Sequence, residues 1–181
     1  IPGLKHHTLF FFFFLDENID TIYENKKWPE NPLFYACCPS KTDSSVAPAD
    51  FENIFLLMPL ANGIKDDEII REKYLLEMIG RIEKVTAAEN LLSKINYKKS
   101  YCVSDFINDY NAYEGNAYGL ANTLSQTAVF KPKIRNRKII NLFYTGQLTV
   151  PGPGVPPSII SGKIVANEVN KQKYKGYEKA I

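Results

Sequence analysis

The chain is poor in the residues that build metal centres and disulfide frameworks. Its 181 residues include two histidines, three cysteines and one tryptophan. Cys37 and Cys38 are adjacent and Cys102 stands alone, an odd and unspaced set unlike a secreted disulfide scaffold, so a reducing cytoplasm is expected. Adjacent cysteines close a disulfide only through a strained ring, and nothing beside them marks a lowered-pKa thiolate, so no redox centre is expected there. A metal centre needs three or four converging ligands. His6 and His7 are neighbours with no Cys or His cluster near them in sequence, so a strand-end role and no metal are expected. Lys and Arg number 22 against 20 Asp and Glu, a net charge of +2. That balance is too even to argue for nucleic acid, and no base-stacking motif stands out. A G-x-S-x-G elbow with a distant histidine is missing, which removes the usual nucleophilic triad. No internal repeat is found. The longest aromatic run, Leu9–Leu15, is far short of the roughly 20 residues that span a bilayer as a helix, and it lacks the basic start and small-residue cleavage site of a secretory signal.

What is present reads as globular: 45% of the residues are apolar, too many for general disorder. Lys5–Leu15 reads as a strand, its Leu9–Leu15 run as a central strand buried on both faces. Asn18–Glu24 reads as a short helical turn. Leu33–Cys38 and Asn53–Leu60 read as two strands rich in Phe, Tyr, Ile and Leu. The polar loop Pro39–Asp50 joins them as an antiparallel pair. Asp66–Val85 reads as an amphipathic helix: Asp66, Asp67 and Glu68 suit its positive end, and Leu75, Ile79, Ile82 and Val85 form one stripe. Ala87–Lys94 is a candidate short helix. Tyr97–Ser104 reads as a strand, and Asp105–Tyr110 as a helical turn capped by Ser104. Asp105 and Asp109 then serve as a cap and a solvated face, not as an acid/base pair, since nothing near them raises a pKa.

The most informative stretch is Asn141–Lys163, NLFYTGQLTVPGPGVPPSIISGK. It reads as a buried strand (Leu142–Thr145), a sharp glycine (Gly146), a Pro/Gly-rich loop and a helix near Pro157–Asn170. Pro156 or Pro157 suits a first turn, where the missing N–H has no helical partner. Gly152 and Gly154 let a flat ligand approach the backbone, and the helix turns free N–H groups toward the loop. Gly162 and Ala166 let that helix lie close to a neighbour. A simple connection of two elements by Pro and Gly fits the same pattern.

Longer motifs carry a resemblance. GNAYGLANTLSQTAVFKP (Gly115–Pro132), followed by NLFYTGQLTVPGPGVPPSIISG, resembles the C-terminal part of bacterial-type carotenoid desaturases, phytoene desaturase in particular. WPENPLFYACCPSKTDSSVAP (Trp28–Pro48) and NIFLLMPLANG (Asn53–Gly63) resemble the middle of the same family. The resemblance runs from about Leu4 to Glu168. It implies an FAD-dependent oxidoreductase of carotenoid biosynthesis, acting on CH–CH groups and introducing conjugated double bonds into phytoene by hydride transfer to flavin. The family's G-x-G-x-x-G fingerprint is absent, and Gly146, Gly152 and Gly154 have the wrong spacing for it. The chain is therefore expected to be a C-terminal portion, inactive alone. The family also carries fewer aromatics than the Phe10–Phe14 run; two extra phenylalanines would keep the strand alternation and one would invert it.

The implied fold is α+β / α/β. Residues 1–130 form an antiparallel-sheet, carotenoid-binding portion with helices. Residues 131–170 are a strand–loop–helix return into a Rossmann-like FAD-binding domain, and 171–181 a basic tail. By resemblance, Gly146, Gln147, Leu148, Val150, Pro151, Gly152, Gly154, Val155 and Pro156 line the flavin, with the N–H groups near Val155 and Ser158 facing its electron-rich edge. Asn116, Tyr118 and Leu120 border the ring or the substrate path; a packed turn explains them as well. Phe34, Tyr35, Phe55, Leu57 and Met58 suit a hydrophobic tunnel, and core packing explains them too. A lipid-borne carotenoid implies a cytoplasmic enzyme held peripherally at the inner face of the cell membrane. Lys171, Lys173, Lys175 and Lys179 suit weak attraction to anionic lipid, but a solvated tail is the favoured reading of those four. Two alternatives stay open: a desaturase of a hydroxylated or shorter carotenoid, and a non-catalytic module whose Pro153–Pro156 P-x-x-P docks in an aromatic groove.

Overall fold

A computed structural model describes residues 1–11, 15–121 and 123–178, with the backbone alone for Ala128 and residues 173–178. The chain divides into two compact units, Ile1–Gly115 and Asn116–Ile181.

The first unit is α+β. Strands β1 (His7–Phe10), β2 (Phe34–Cys37) and β3 (Phe55–Leu57) pair antiparallel in the order β1-β2-β3. Helix α1 (Leu15–Tyr23) follows β1, and α2 (Glu68–Thr86) follows β3. The register sets His7 opposite Cys37 and Cys37 opposite Phe55, then Leu9 opposite Tyr35 and Tyr35 opposite Leu57. Because side chains alternate along a strand, this one register makes two unlike faces. Phe10, Phe34 and Ala36 turn inward and pack with Met78, Ile79 and Ile82 of α2. Phe10 and Phe34 stack with ring centroids 4.3 Å apart. His7, Leu9, Tyr35, Cys37, Phe55 and Leu57 share the opposite face, none of them buried. The expected β2–β3 pair is present, and the polar loop joins it.

Several expectations are corrected in this unit. β1 is an edge strand with one buried face: Leu9 is 72% exposed while Phe10 is 4% exposed. Of the aromatic run, Phe12–Phe14 lie outside the described residues. The α2 stripe ends differently, with Val85 exposed and Thr86 buried against the Ile82 carbonyl at 2.7 Å. Ala87 takes a left-handed φ of 53° that stops α2, so Ala87–Lys94 holds only one 3-10 turn, Leu92–Lys94. Tyr97–Ser104 forms no strand, since β1 and β3 are the sheet's edges and neither pairs with it.

Helix α3 (Val103–Tyr110) starts earlier than expected. Its first turn is closed by Asp105, whose carboxylate accepts the Cys102 N–H at 2.8 Å. The Ser104 N–H instead donates to Asp66 Oδ1 at 3.3 Å. Asp67 caps α2 by accepting the Ile70 N–H at 2.9 Å, as a short acidic side chain does at that position. Arg71 ties the two helix starts together. It bonds Asp66, reaches Ser104 Oγ at 2.9 Å and pairs with Asp105 at 2.8 Å.

In the second unit, α4 (Val155–Glu178) is the long element. It starts before the expected helix and carries on through the segment expected as a solvated tail, so residues 171–178 are helical; Lys179 lies outside the described residues. Pro156 and Pro157 fall in its first turn, where helical bonding needs no N–H from them. Leu142–Thr145 is not a buried strand. It meets Ile134–Asn136 in a single bridge, Arg135 with Phe143, flanked by Asn136 N to Leu142 O at 3.0 Å and Tyr144 N to Ile134 O at 2.8 Å. Leu142 and Tyr144 are exposed. A parallel strand needs a sheet to join, and among the described residues this unit forms none. No helix among them is long and apolar enough to cross a membrane.

Candidate functional site

The loop from Gly146 into α4 is built around Ser161, a residue that composition and spacing did not single out. Ser161 is fully buried. Its Oγ accepts the Gly146 N–H at 2.8 Å, lies 2.8 Å from Thr145 Oγ1, and donates to the Ser158 carbonyl at 2.7 Å. One hydroxyl thus fixes the loop entry to the first turns of α4. Buried Thr149 closes the loop from the other side, its hydroxyl donating to the Gly146 carbonyl at 3.1 Å.

The three loop glycines share positive φ, at 104°, 139° and 112° for Gly146, Gly152 and Gly154. They differ in what their bare side meets. A Cβ at Gly152 would lie 3.4 Å from Lys131 Cε, and one at Gly154 would lie 3.4 Å from Pro157 Cδ. At Gly146 it would meet nothing within 4 Å. The barest backbone face is therefore at Gly146, while Lys131 and Pro157 border the space beside the other two at van der Waals contact.

The segment Asn116–Leu120 meets this loop. Asn116 Oδ1 accepts the Gly119 N–H at 2.7 Å and shapes a turn. Gln147 Nε2 reaches back to the Ala117 carbonyl at 3.2 Å. Gly119, at φ 84°, leaves room for Leu148, whose Cδ2 sits where a Cβ would stand. Tyr118 and Leu148 are exposed, Leu120 and Val150 half-buried. Val150 also borders a groove of about 290 Å³ with Lys131, Lys133 and Arg135. Pro151, Val155 and Pro156 are exposed. The Ser158 N–H is used within the helix by the Gly154 carbonyl at 3.0 Å, which leaves the Val155 amide as the first-turn donor that helical bonding does not need. Pro156 lies inside α4, so Pro153–Pro156 is not the extended segment that docking in an aromatic groove requires.

In the first unit the sheet separates the tunnel candidates. Phe34 is core and Met58 packs against it. Tyr35, Phe55 and Leu57 stand on the open face with Leu9.

Carotenoid 3,4-desaturase of Haloarcula japonica is 44% identical over 166 residues, 92% of this chain and 33% of the relative. The chain is a homologue of the carotenoid desaturases. The 4,4'-diapophytoene desaturase of Staphylococcus haemolyticus is 32% identical over 82% of the chain and 30% of the relative. The zeta-carotene-forming phytoene desaturase of Myxococcus xanthus is 28% identical over 93% of the chain and 33% of the relative. This desaturase homologue thus spans about a third of the length of the curated relatives it matches. No family model matches it.

Thiol chemistry adds nothing to the loop site. All three cysteines are free. Burial pushes the Cys102 thiol up to about 11, with Asp66 adding to the rise, so it stays protonated at neutral pH. Cys37 faces the open side of the sheet and Cys38 the core, which separates the adjacent pair across the strand.

Proposed function

We propose that the chain is the C-terminal portion of an FAD-dependent phytoene desaturase of carotenoid biosynthesis. The observation carrying this reading is the meeting of the Asn116–Leu120 turn with the Gly146–Leu148 loop, beside a glycine whose bare face is open. Relatives about three times its length leave room for a dinucleotide-binding unit elsewhere in the longer protein. Residues 131–170 would join that unit as a Rossmann-like return. The residues fit one wall of a flavin site. Gly146 admits a flat ring, and Gln147, Leu148 and Val150 border it. Pro151, Gly152 and Gly154 hold the loop that leads to Val155, and Pro156 follows it in the first turn of α4.

FAD, when bound, supplies the hydride acceptor that protein side chains lack. The chain's own part is positional. Leu148 and Val150 keep water from the ring face. The Val155 amide, at the positive end of α4, favours negative charge near it. Asn116, Tyr118 and Leu120 border the substrate path. In the first unit, Leu9, Tyr35, Phe55 and Leu57 offer the apolar surface that a polyene without polar handles requires. A lipid-borne substrate accounts for a cytoplasmic protein that attaches peripherally to the inner face of the cell membrane.

The experiment is to purify the full-length protein, record flavin absorbance, and supply phytoene in liposomes. Bound flavin and conversion to more conjugated products are expected. Purified, folded protein without flavin, or with flavin and no action on any carotenoid, would overturn the reading. Identity of 44% to a 3,4-desaturase against 28% to a phytoene desaturase favours a second reading, a desaturase of another carotenoid. Offering phytoene and an already conjugated, hydroxylated carotenoid side by side separates the two.

A further inference from the structure

His6, His7 and Cys37 each bring one ligand atom to a point where all three lie within 4.8 Å of one another. Sequence adjacency argues against this, because neighbours on a strand point to opposite faces. The backbone bends at His6, just before β1, and the two imidazole centroids lie 4.2 Å apart. The β1–β2 register then sets Cys37 across from His7. His6 and Cys37 are half-buried and His7 is exposed.

The rings are also oriented. His6 Nδ1 bonds Thr42 Oγ1 at 2.6 Å, and His7 Nδ1 bonds the Tyr35 hydroxyl. These bonds hold both rings in place, and the Tyr35 hydroxyl that holds His7 also bonds the Cys37 thiol, as outer hydrogen-bond partners hold the ligands of metal centres. The ligand types select the ion. Two imidazoles and a thiolate are wrong for magnesium or calcium, which take oxygen, and suit zinc.

We propose that His6, His7 and Cys37 bind a zinc ion at the β1–β2 edge of the sheet, with water in the fourth position. Zinc bonds of about 2.0–2.3 Å place tetrahedral ligand atoms roughly 3.3–3.7 Å apart. Small side-chain rotations at this accessible edge close the remaining gap. On binding, the Cys37 S–H bond breaks, its proton passes to solvent and the sulfur forms the bond to zinc; no electrons are exchanged. The ion ties the segment entering β1 to β2.

The test uses full-length protein stripped with a chelator and titrated with Co²⁺ alone, followed by displacement with Zn²⁺. One equivalent is expected, with a near-ultraviolet thiolate-to-cobalt band that zinc abolishes. Cys37→Ser should lose the band. His6→Gln and His7→Gln should each weaken Zn²⁺ binding at least about tenfold, as measured against a chromophoric chelator. Cys102→Ser should change nothing. Circular dichroism checks that each variant is folded. Folded wild type without stoichiometric uptake, a band that survives Cys37→Ser, or affinity unchanged in both histidine variants would each overturn the site.

Discussion

The Ser161 hydroxyl lies 2.8 Å from the amide nitrogen of Gly146, fifteen residues away in sequence. This contact fixes the entry of the loop to the start of α4, because the same oxygen also meets Thr145 and the Ser158 carbonyl. Ser161→Ala would leave a part-buried N–H without its partner and remove the bond to the Ser158 carbonyl, at a cost of about 1 kcal/mol. Urea unfolding followed on the second unit should read that loss. A cost under about 0.5 kcal/mol would mean that the loop holds its shape without the hydroxyl.

Gly146→Val should strip flavin from the full-length protein while the sheet unit stays folded. The residue sits at φ 104°, where a branched side chain is strained, and its bare face is the open one. At Gly152 the neighbour is Lys131, so Gly152→Ala should reduce flavin occupancy less than Gly146→Val. Absorbance per mole of purified protein compares them, and equal occupancy in both variants would sink the assignment of the flavin face to Gly146.

Acid should loosen the junction of α2 and α3. The Asp66 side chain is 2% exposed. Burial works to raise its pKa, but hydrogen bonds from Arg71, Cys102 and Ser104 outweigh it, with the Arg71 charge adding to them, and hold the carboxyl below its ordinary value. The charged form is the one the fold favours. Its stabilisation is therefore complete above the unfolded value of about 3.9, and is lost as pH falls from there toward the lowered folded value. Asp66→Asn should cost stability at pH 7 and flatten the pH profile below about 4. Thermal melts across pH 2–7 test the sign.

The two faces of the sheet should respond differently to truncation. Phe34→Ala removes a core ring stacked on Phe10 and is expected to cost about 3–5 kcal/mol. Phe55, 54% exposed on the open face, should cost less than about 1 kcal/mol on the same change. Phe55→Ala should instead alter carotenoid turnover in the full-length enzyme. Unfolding and product analysis, run together, separate the two effects.

Alkylation in metal-free protein should rank the cysteines by exposure and charge state. Cys37 on the open face should react first at pH 8, and Cys102, buried with its thiol pushed up to about 11, last. Mass spectrometry after brief iodoacetamide treatment gives the order.

Much of this was legible in the sequence. The β2–β3 pair and α2 announce themselves through β-rich runs, a polar loop and an apolar stripe. The contribution of Ser161 was not legible, because one serine in a helix carries no periodic signal; only its burial beside Gly146 reveals it. Leu142–Thr145 has the composition of a buried strand, but pairing depends on neighbours, and here it finds one bridge. The three loop glycines look equivalent as letters. Their difference lies in Lys131 and Pro157, which no spacing rule connects to them. The histidine pair looked isolated for the same reason: its third ligand arrives through strand register from thirty residues away.

That register also sorts which positions can be rewritten. Each step along β1, β2 or β3 alternates between a residue wedged against α2 and a residue with free space beyond it. Tolerance in a saturation scan of these strands should therefore beat with a period of two. Phe10, Phe34, Ala36 and Leu56 would reject most replacements, while Leu9, Phe55 and Leu57 would accept many and show their cost only when substrate choice is measured. Under the proposed function, a change of substrate could be written into Leu9, Phe55 and Leu57 and leave the scaffold untouched.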